Sequence, residues 1–263
     1  NMFQLTRSGS SAECVKNDNA FRVCFSDPNQ GVEAAKYIAG HKLATKVAII
    51  YDNSDPYSTG IYESFKAEAA TQKLEIVAAN AFNADNKTDF SVQIQKAKDA
   101  GADMIFLPIY YSEASLILKQ TSSVAGFSPK FFGCDGMDGI LALDNFDAKL
   151  AEGLMFMTPF DAASSDETIK TFVDNFNSKY GHTPNQFAAD AYDAIYIIKD
   201  ACEKAGVKDG ISNSDLCDAL KDALTKVSFN GVTGKNVVWE ANGEPNKEPS
   251  VLQIKDGKYE MMQ

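Results

Sequence analysis

The chain has 263 residues, 44% of them hydrophobic, and a formal net charge of −11. That is enough for one large domain or two of ordinary size, while the acidic balance argues against a nucleic-acid partner, whose binders gather Lys and Arg on one face. No apolar run approaches the roughly 20 residues of a spanning helix, and residues 1–6 lack the charged start and apolar core of a signal peptide, so an export signal is expected to be absent from this sequence or already removed.

Residues 1–21 are the least patterned part of the chain. Within them Arg7, Ser8, Gly9, Ser10 and Ser11 form a loop whose hydroxyls and amides could meet an anion, although a plain surface turn has the same composition. Residues 21–25 alternate like a short strand, and Asp27-Pro28 opens a helix bearing Val32, Ala35 and Ile38. Residues 47–51, VAIIY, are an apolar, partly β-branched run too short for a buried helix, which predicts a strand covered on both faces. Asp55 then caps a helix with Pro56 at its first position and Ile61, Phe65 and Ala69 at helical spacing. The same alternation repeats through residue 160. Strands are expected at 74–79, 103–107, 130–133 and 153–158, with one helix capped by Asp89 and another through Leu116, Leu118 and Val124 after a loop carrying Pro108, Tyr110, Tyr111 and Glu113. Units of about 25–30 residues in strict strand and helix alternation predict an α/β fold with a doubly wound parallel sheet.

From Ser164 the pattern changes. Ile169, Phe172, Val173, Phe176 and Tyr180 define an amphipathic helix stopped at Gly181, and residues 187–205 make a helix apolar around most of its circumference, so something large should cover it. A third helix follows over 212–224. Three helices with no strand between them do not continue the same sheet, so a second lobe is implied. The tail returns to strands at 237–240 and, across Asp256-Gly257, to a hairpin of 251–255 with 258–262.

Hydrolase, metalloprotease, phosphate-loop and dinucleotide motifs are absent. His41 and His182, the two imidazoles, fall at helix ends. No metal or cofactor is expected. The five cysteines lack C-x-x-C spacing and read as buried or incidental thiols, with a Cys202 to Cys217 bridge as the alternative. What remains is a set of binding groups at the carboxyl ends of strands, namely Tyr57, Tyr110 and Asp135, where open α/β sheets place their ligands. Singly, each has a plain explanation as a packing tyrosine or a turn aspartate.

The runs AFRVCFSDPNQG, AAKYIAGHKLATKVAIIYDNSDPYSTG, DFSVQIQKAKDAGADMIFLPIYYSEA, FFGCDGM and NQFAADAYDAI together resemble the branched-chain amino-acid type of substrate-binding proteins, with the type I periplasmic-binding-protein fold. The resemblance covers nearly the whole chain. It implies two α/β lobes that capture a small amino acid or related zwitterion in an interlobe cleft, and an ABC transporter permease as partner. It places the ammonium-binding carboxylate on Asp135, tyrosines on Tyr57 and Tyr110, an aromatic contact on Phe187, and the carboxylate loop on Ser8, Ser10 and Ser11, with the key hydroxyl open between Ser10 and Ser11. Arg7 stands where relatives often have proline. The lobes implied are 1–25 with 161–229 and 26–160 with 230–263. The first is expected to be incomplete, lacking its leading strands, so that a separate chain or segment would complete it. The expected location is periplasmic or extracellular, with a lipid anchor on the full-length protein as one option. The alternatives are a ligand-sensing receptor module, an engineered fragment or biosensor part of the same fold and, as a weaker option, a small carboxylate-dependent enzyme.

Overall fold

A computed structural model describes residues 1–262. In chain order the elements are β1 (Gln4–Thr6), β2 (Ala20–Arg22), α1 (Asp27–Gly40), β3 (Lys46–Asp52), α2 (Pro56–Gln72), β4 (Glu75–Phe82), α3 (Ser91–Asp99), β5 (Met104–Leu107), α4 (Tyr111–Ser122), β6 (Lys130–Gly133), β7 (Met155–Thr158), α5 (Glu167–Tyr180), α6 (Gln186–Ala205), α7 (Asn213–Leu224), β8 (Ser250–Lys255) and β9 (Lys258–Met261). They fall into two compact units. Unit 1 is Asn1–Ser26 with Pro159–Glu248, and unit 2 is Asp27–Thr158 with Pro249–Gln263.

Unit 2 contains a seven-stranded sheet in the order β4-β3-β5-β6-β7-β8-β9. The first five strands are parallel, and β8 and β9 add on antiparallel. Successive side chains of a strand point to opposite faces, and β3 shows the result. Val47 and Ile49 pack with Met104, Phe106 and residues of α1 and α2, whereas Ala48 and Ile50 pack with Ile105, Leu107 and residues of α3 and α4. The doubly wound sheet expected from the alternation is present. Gly31 lets α1 and α2 meet closely, since a Cβ there would lie 2.4 Å from the Ile61 carbonyl oxygen. The Asp256-Gly257 turn forms as expected, with φ of 50° and 70°, the left-handed pair that a two-residue hairpin loop requires.

Unit 1 has a two-stranded parallel sheet, β1 with β2, and helices α5 to α7. β1 was not expected: its three residues gain strand structure from pairing with residues 20–22, which no local pattern announces. Phe21, Val23, Ala194, Ile197, Leu220, Leu224 and Trp239 form the main core. The strand expected at 237–240 is reduced to isolated bridges of Phe229 with Val237 and Trp239 with Pro245.

Residues 230–248, which the resemblance assigned to the second lobe, pack in unit 1 instead. Buried polar groups hold them there. Asp193 on α6 accepts from the Val232 and Thr233 amides at 3.0 and 2.8 Å and from the Thr233 hydroxyl at 2.6 Å. Lys247, 4% exposed, lies 3.3 Å from Asp190, 2% exposed, and donates to the Thr233 hydroxyl at 2.7 Å. Burial pushes the Asp190 carboxyl above its usual range against the pull of Lys247. The cover expected over α6 is incomplete: Tyr192, Ile195 and Tyr196 are exposed, Ile195 by 67%. All five cysteines are free thiols, so the Cys202 to Cys217 bridge does not form, and the Cys217 thiol instead faces the Asn1 side chain at 3.5 Å.

Candidate functional site

In unit 2 the strand order reverses between β3 and β5, because β4 lies on one side of β3 and β5 on the other. Loops at the carboxyl ends diverge at such a point and leave room for a ligand. Tyr57 follows β3, Tyr110 follows β5, and Asp135 follows the neighbouring β6. Local chemistry fixes the first of these. Asp55 accepts from the Tyr57 amide at 3.0 Å and Pro56 begins α2, so Tyr57 stands in the first turn of the helix.

The three residues converge. The Tyr57 hydroxyl donates to the Asp135 carboxylate at 2.7 Å and accepts from the Gly136 amide at 2.9 Å. The Tyr57 and Tyr110 rings stack with centroids 4.6 Å apart and planes 21° apart. Asp135 and Tyr57 are each 6% exposed, while Tyr110 is 42% exposed. Burial, with the Asp135 charge beside it, pushes the Tyr57 phenol well above its usual range. Burial also raises Tyr110, helped by the charges of Asp55, Asp135, Asp27 and Glu113. Both rings therefore stay neutral, and the local field favours a cation.

Sequence reasoning missed two residues here. Gln30 on α1 is fully buried, and its side-chain oxygen accepts from the Asp135 amide at 3.0 Å. Gly136 lies where a Cβ would come within 2.8 Å of both the Tyr57 hydroxyl and the Ile109 carbonyl oxygen. The Gly in Cys-Asp-Gly was a visible signal. Gln30, in the polar opening of a helix, gave none.

In unit 1, Ser10 is buried, and Ser8 and Ser11 are half-buried. The Ser11 hydroxyl caps a short 3₁₀ turn, Ala12–Val15, by accepting from the Glu13 amide at 3.4 Å. Gly9 donates to the Thr6 hydroxyl at 2.9 Å. Arg7 is exposed and donates to the Phe187 carbonyl at 3.4 Å, which ties this loop to the first turn of α6, where Phe187 is half-buried. Thus Ser8, Ser10, Ser11 and Phe187 belong to unit 1, and Tyr57, Tyr110 and Asp135 to unit 2. Among the described residues no cluster of His, Cys, Asp and Glu could hold a metal ion, and no helix is long and apolar enough to cross a membrane.

A doubly wound sheet that presents a nearly buried carboxylate and two stacked tyrosines at its switch point has the geometry in which open α/β sheets hold ligands. The family described as periplasmic binding protein matches residues 2–258, and the chain belongs to that family, which comprises binding proteins rather than enzymes. Leu/Ile/Val-binding protein homolog 2 of Brucella abortus is 28% identical over 252 residues, 93% of this chain and 64% of that protein. The crystal structure of a leucine-binding protein from Thermotoga maritima superposes with a TM-score of 0.86 at 27% identity, covering 98% of this chain and 71% of that one. A branched-chain amino acid transporter substrate-binding protein from Streptococcus pneumoniae, solved with isoleucine, gives 0.84 at 28%, covering 98% and 72%. The chain therefore spans 64% of the length of the Brucella relative.

Proposed function

We propose that this chain is the ligand-capturing part of a solute-binding protein that takes up a small amino acid for an ABC importer. The observation that carries the reading is Asp135, a carboxylate 6% exposed whose orientation is set by the Tyr57 hydroxyl at 2.7 Å and the Gln30 side chain at its amide. A carboxylate placed at the switch point of the sheet, beside the stacked Tyr57 and Tyr110 rings, is an acceptor for a charge-assisted hydrogen bond, and an α-ammonium group is the donor that the named ligands of the relatives would supply. In unit 2 Tyr57 and Tyr110 wall the ammonium site. In unit 1 Ser8 and Ser10 are the carboxylate donors, Ser11 is retained for its cap, and Phe187 is an apolar contact.

The location that goes with this reading is periplasmic or extracellular, with a lipid anchor as the finer expectation. The permease of the importer is the partner. The open apolar side of α6, with Tyr192, Ile195 and Tyr196, supports the further expectation that an additional segment or chain covers this helix.

A thermal-shift screen of the common amino acids identifies the ligand, and calorimetry on Asp135→Ala then tests its role. Affinity should fall by about 2–5 kcal/mol, because the ammonium loses its counter-charge. Unchanged affinity in the variant would remove Asp135 from the site.

A further inference from the structure

Arg22 ends β2 and has no exposed surface. Its guanidinium divides its contacts three ways. Nη1 donates to the Gly9 carbonyl and Nη2 to the Ser11 carbonyl, both at 2.9 Å, while Nε lies 3.1 Å from the Glu244 carboxylate. The backbone is held as well, since the Arg22 carbonyl accepts from the Trp239 indole at 2.7 Å and its amide donates to the Gly243 carbonyl at 3.1 Å. Such a group is a costly way to fill a core. Replacing a buried ion pair with apolar side chains of similar volume is often neutral or stabilising, so packing alone gives no reason for arginine here.

What the guanidinium does, and an apolar residue could not, is fix the direction of two peptide groups in the serine loop. Carbonyl and N–H point opposite ways across a planar trans peptide. With the Gly9 carbonyl turned onto Arg22, the Ser10 N–H is turned away from it. With the Ser11 carbonyl pinned too, the backbone is clamped on both sides of Ser10.

We propose that Arg22 is the positioning residue of the serine loop: by gripping the carbonyls on either side of Ser10 it sets the Ser10 amide and hydroxyl as the donor pair for the ligand's carboxylate. This rests on the reading of residues 8–11 as the carboxylate loop. The rigid fork matters, because lysine keeps the charge but places a single point donor and cannot span both carbonyls in the same geometry.

The test uses the full chain, calorimetry, and two probes that share a side chain and an ammonium group: leucine, and isopentylamine, which lacks the carboxylate. For Arg22→Lys, leucine affinity should fall about tenfold or more while that for the amine holds, so the preference for the carboxylate-bearing probe collapses. A folded variant that keeps its preference, or that loses both probes in equal measure, overturns the proposal. If Arg22→Lys does not fold, Glu244→Gln, which loosens the guanidinium without removing it, should shift the same ratio by a few-fold; no shift in the ratio overturns the proposal. If the wild type binds neither probe, nor any amino acid in the screen, the function proposed above is what fails. Positioning is then read without ligand from the backbone heteronuclear NOE values of Gly9, Ser10 and Ser11: a drop confined to these residues in Glu244→Gln supports it, and unchanged values overturn it.

Discussion

Units 2 and 1 hold their candidate residues by opposite means. In unit 2 regular structure does the positioning: a parallel sheet with both faces buried delivers Tyr57, Tyr110 and Asp135 to neighbouring strand ends. In unit 1 the sheet has two short strands, and buried charges do much of that work. Arg22 grips the serine loop, and Asp190, Asp193 and Lys247 fasten residues 230–248 to α6. A core of apolar side chains tolerates local change because its free energy is spread over many contacts. A buried ionic network concentrates it in a few atoms.

The largest expected effect tests that contrast directly. Lys247→Met leaves Asp190 buried without its cation and should cost about 3–5 kcal/mol, measured by denaturant unfolding. Hydrogen exchange should show the loss in α6 and residues 230–248, with β3, β5 and β6 still protected. Uniform loss in both units would break the comparison. Next is Gly136→Ala in unit 2. Its new methyl meets the Tyr57 hydroxyl and the Ile109 carbonyl, which should cost about 1–3 kcal/mol in thermal unfolding and weaken amino-acid binding by calorimetry.

Asp55→Ala is milder. It removes a cap from α2 and should cost about 1 kcal/mol, with the exchange change confined to the first turn of α2. The smallest effect concerns acid. Burial tends to raise the Asp52 carboxyl, but hydrogen bonds from Ser54 and Lys87 outweigh it and hold the group below its usual range. A depressed folded-state pKa contributes stability that is present above the unfolded value and lost as pH falls through the folded one. The stability difference between wild type and Asp52→Asn should therefore be constant at neutral pH and shrink below about pH 4. A difference that grows on acidification would contradict the assignment.

The same contrast explains how much could be seen in advance. β3, the Asp55 cap, Pro56 and the Asp256-Gly257 turn are local signals, carried by residues adjacent in the chain. Tyr57, Tyr110 and Asp135 could be placed on one sheet edge because strand and helix alternation dictates where strand ends go. Gln30 could not be found that way, since its partner Asp135 lies 105 residues on. Residues 230–248 went to the wrong lobe for a similar reason: their anchors, Asp190 and Asp193, sit about 40–57 positions earlier on α6. Arg22 reads in sequence as the polar member of an alternating strand, and its target, the pair of carbonyls flanking Ser10, is a tertiary fact.

The Tyr57 phenol has one proton and two lone pairs. The proton is spent on Asp135, and one lone pair takes the Gly136 amide. What is left can only accept. A guest reaching that oxygen must bring its own hydrogen, so an incoming carboxylate is repelled there twice, by a bare lone pair and by the neighbouring anion. On the function proposed above, a dipolar molecule would lie against unit 2 with its hydrogen-bearing, positive end toward this oxygen.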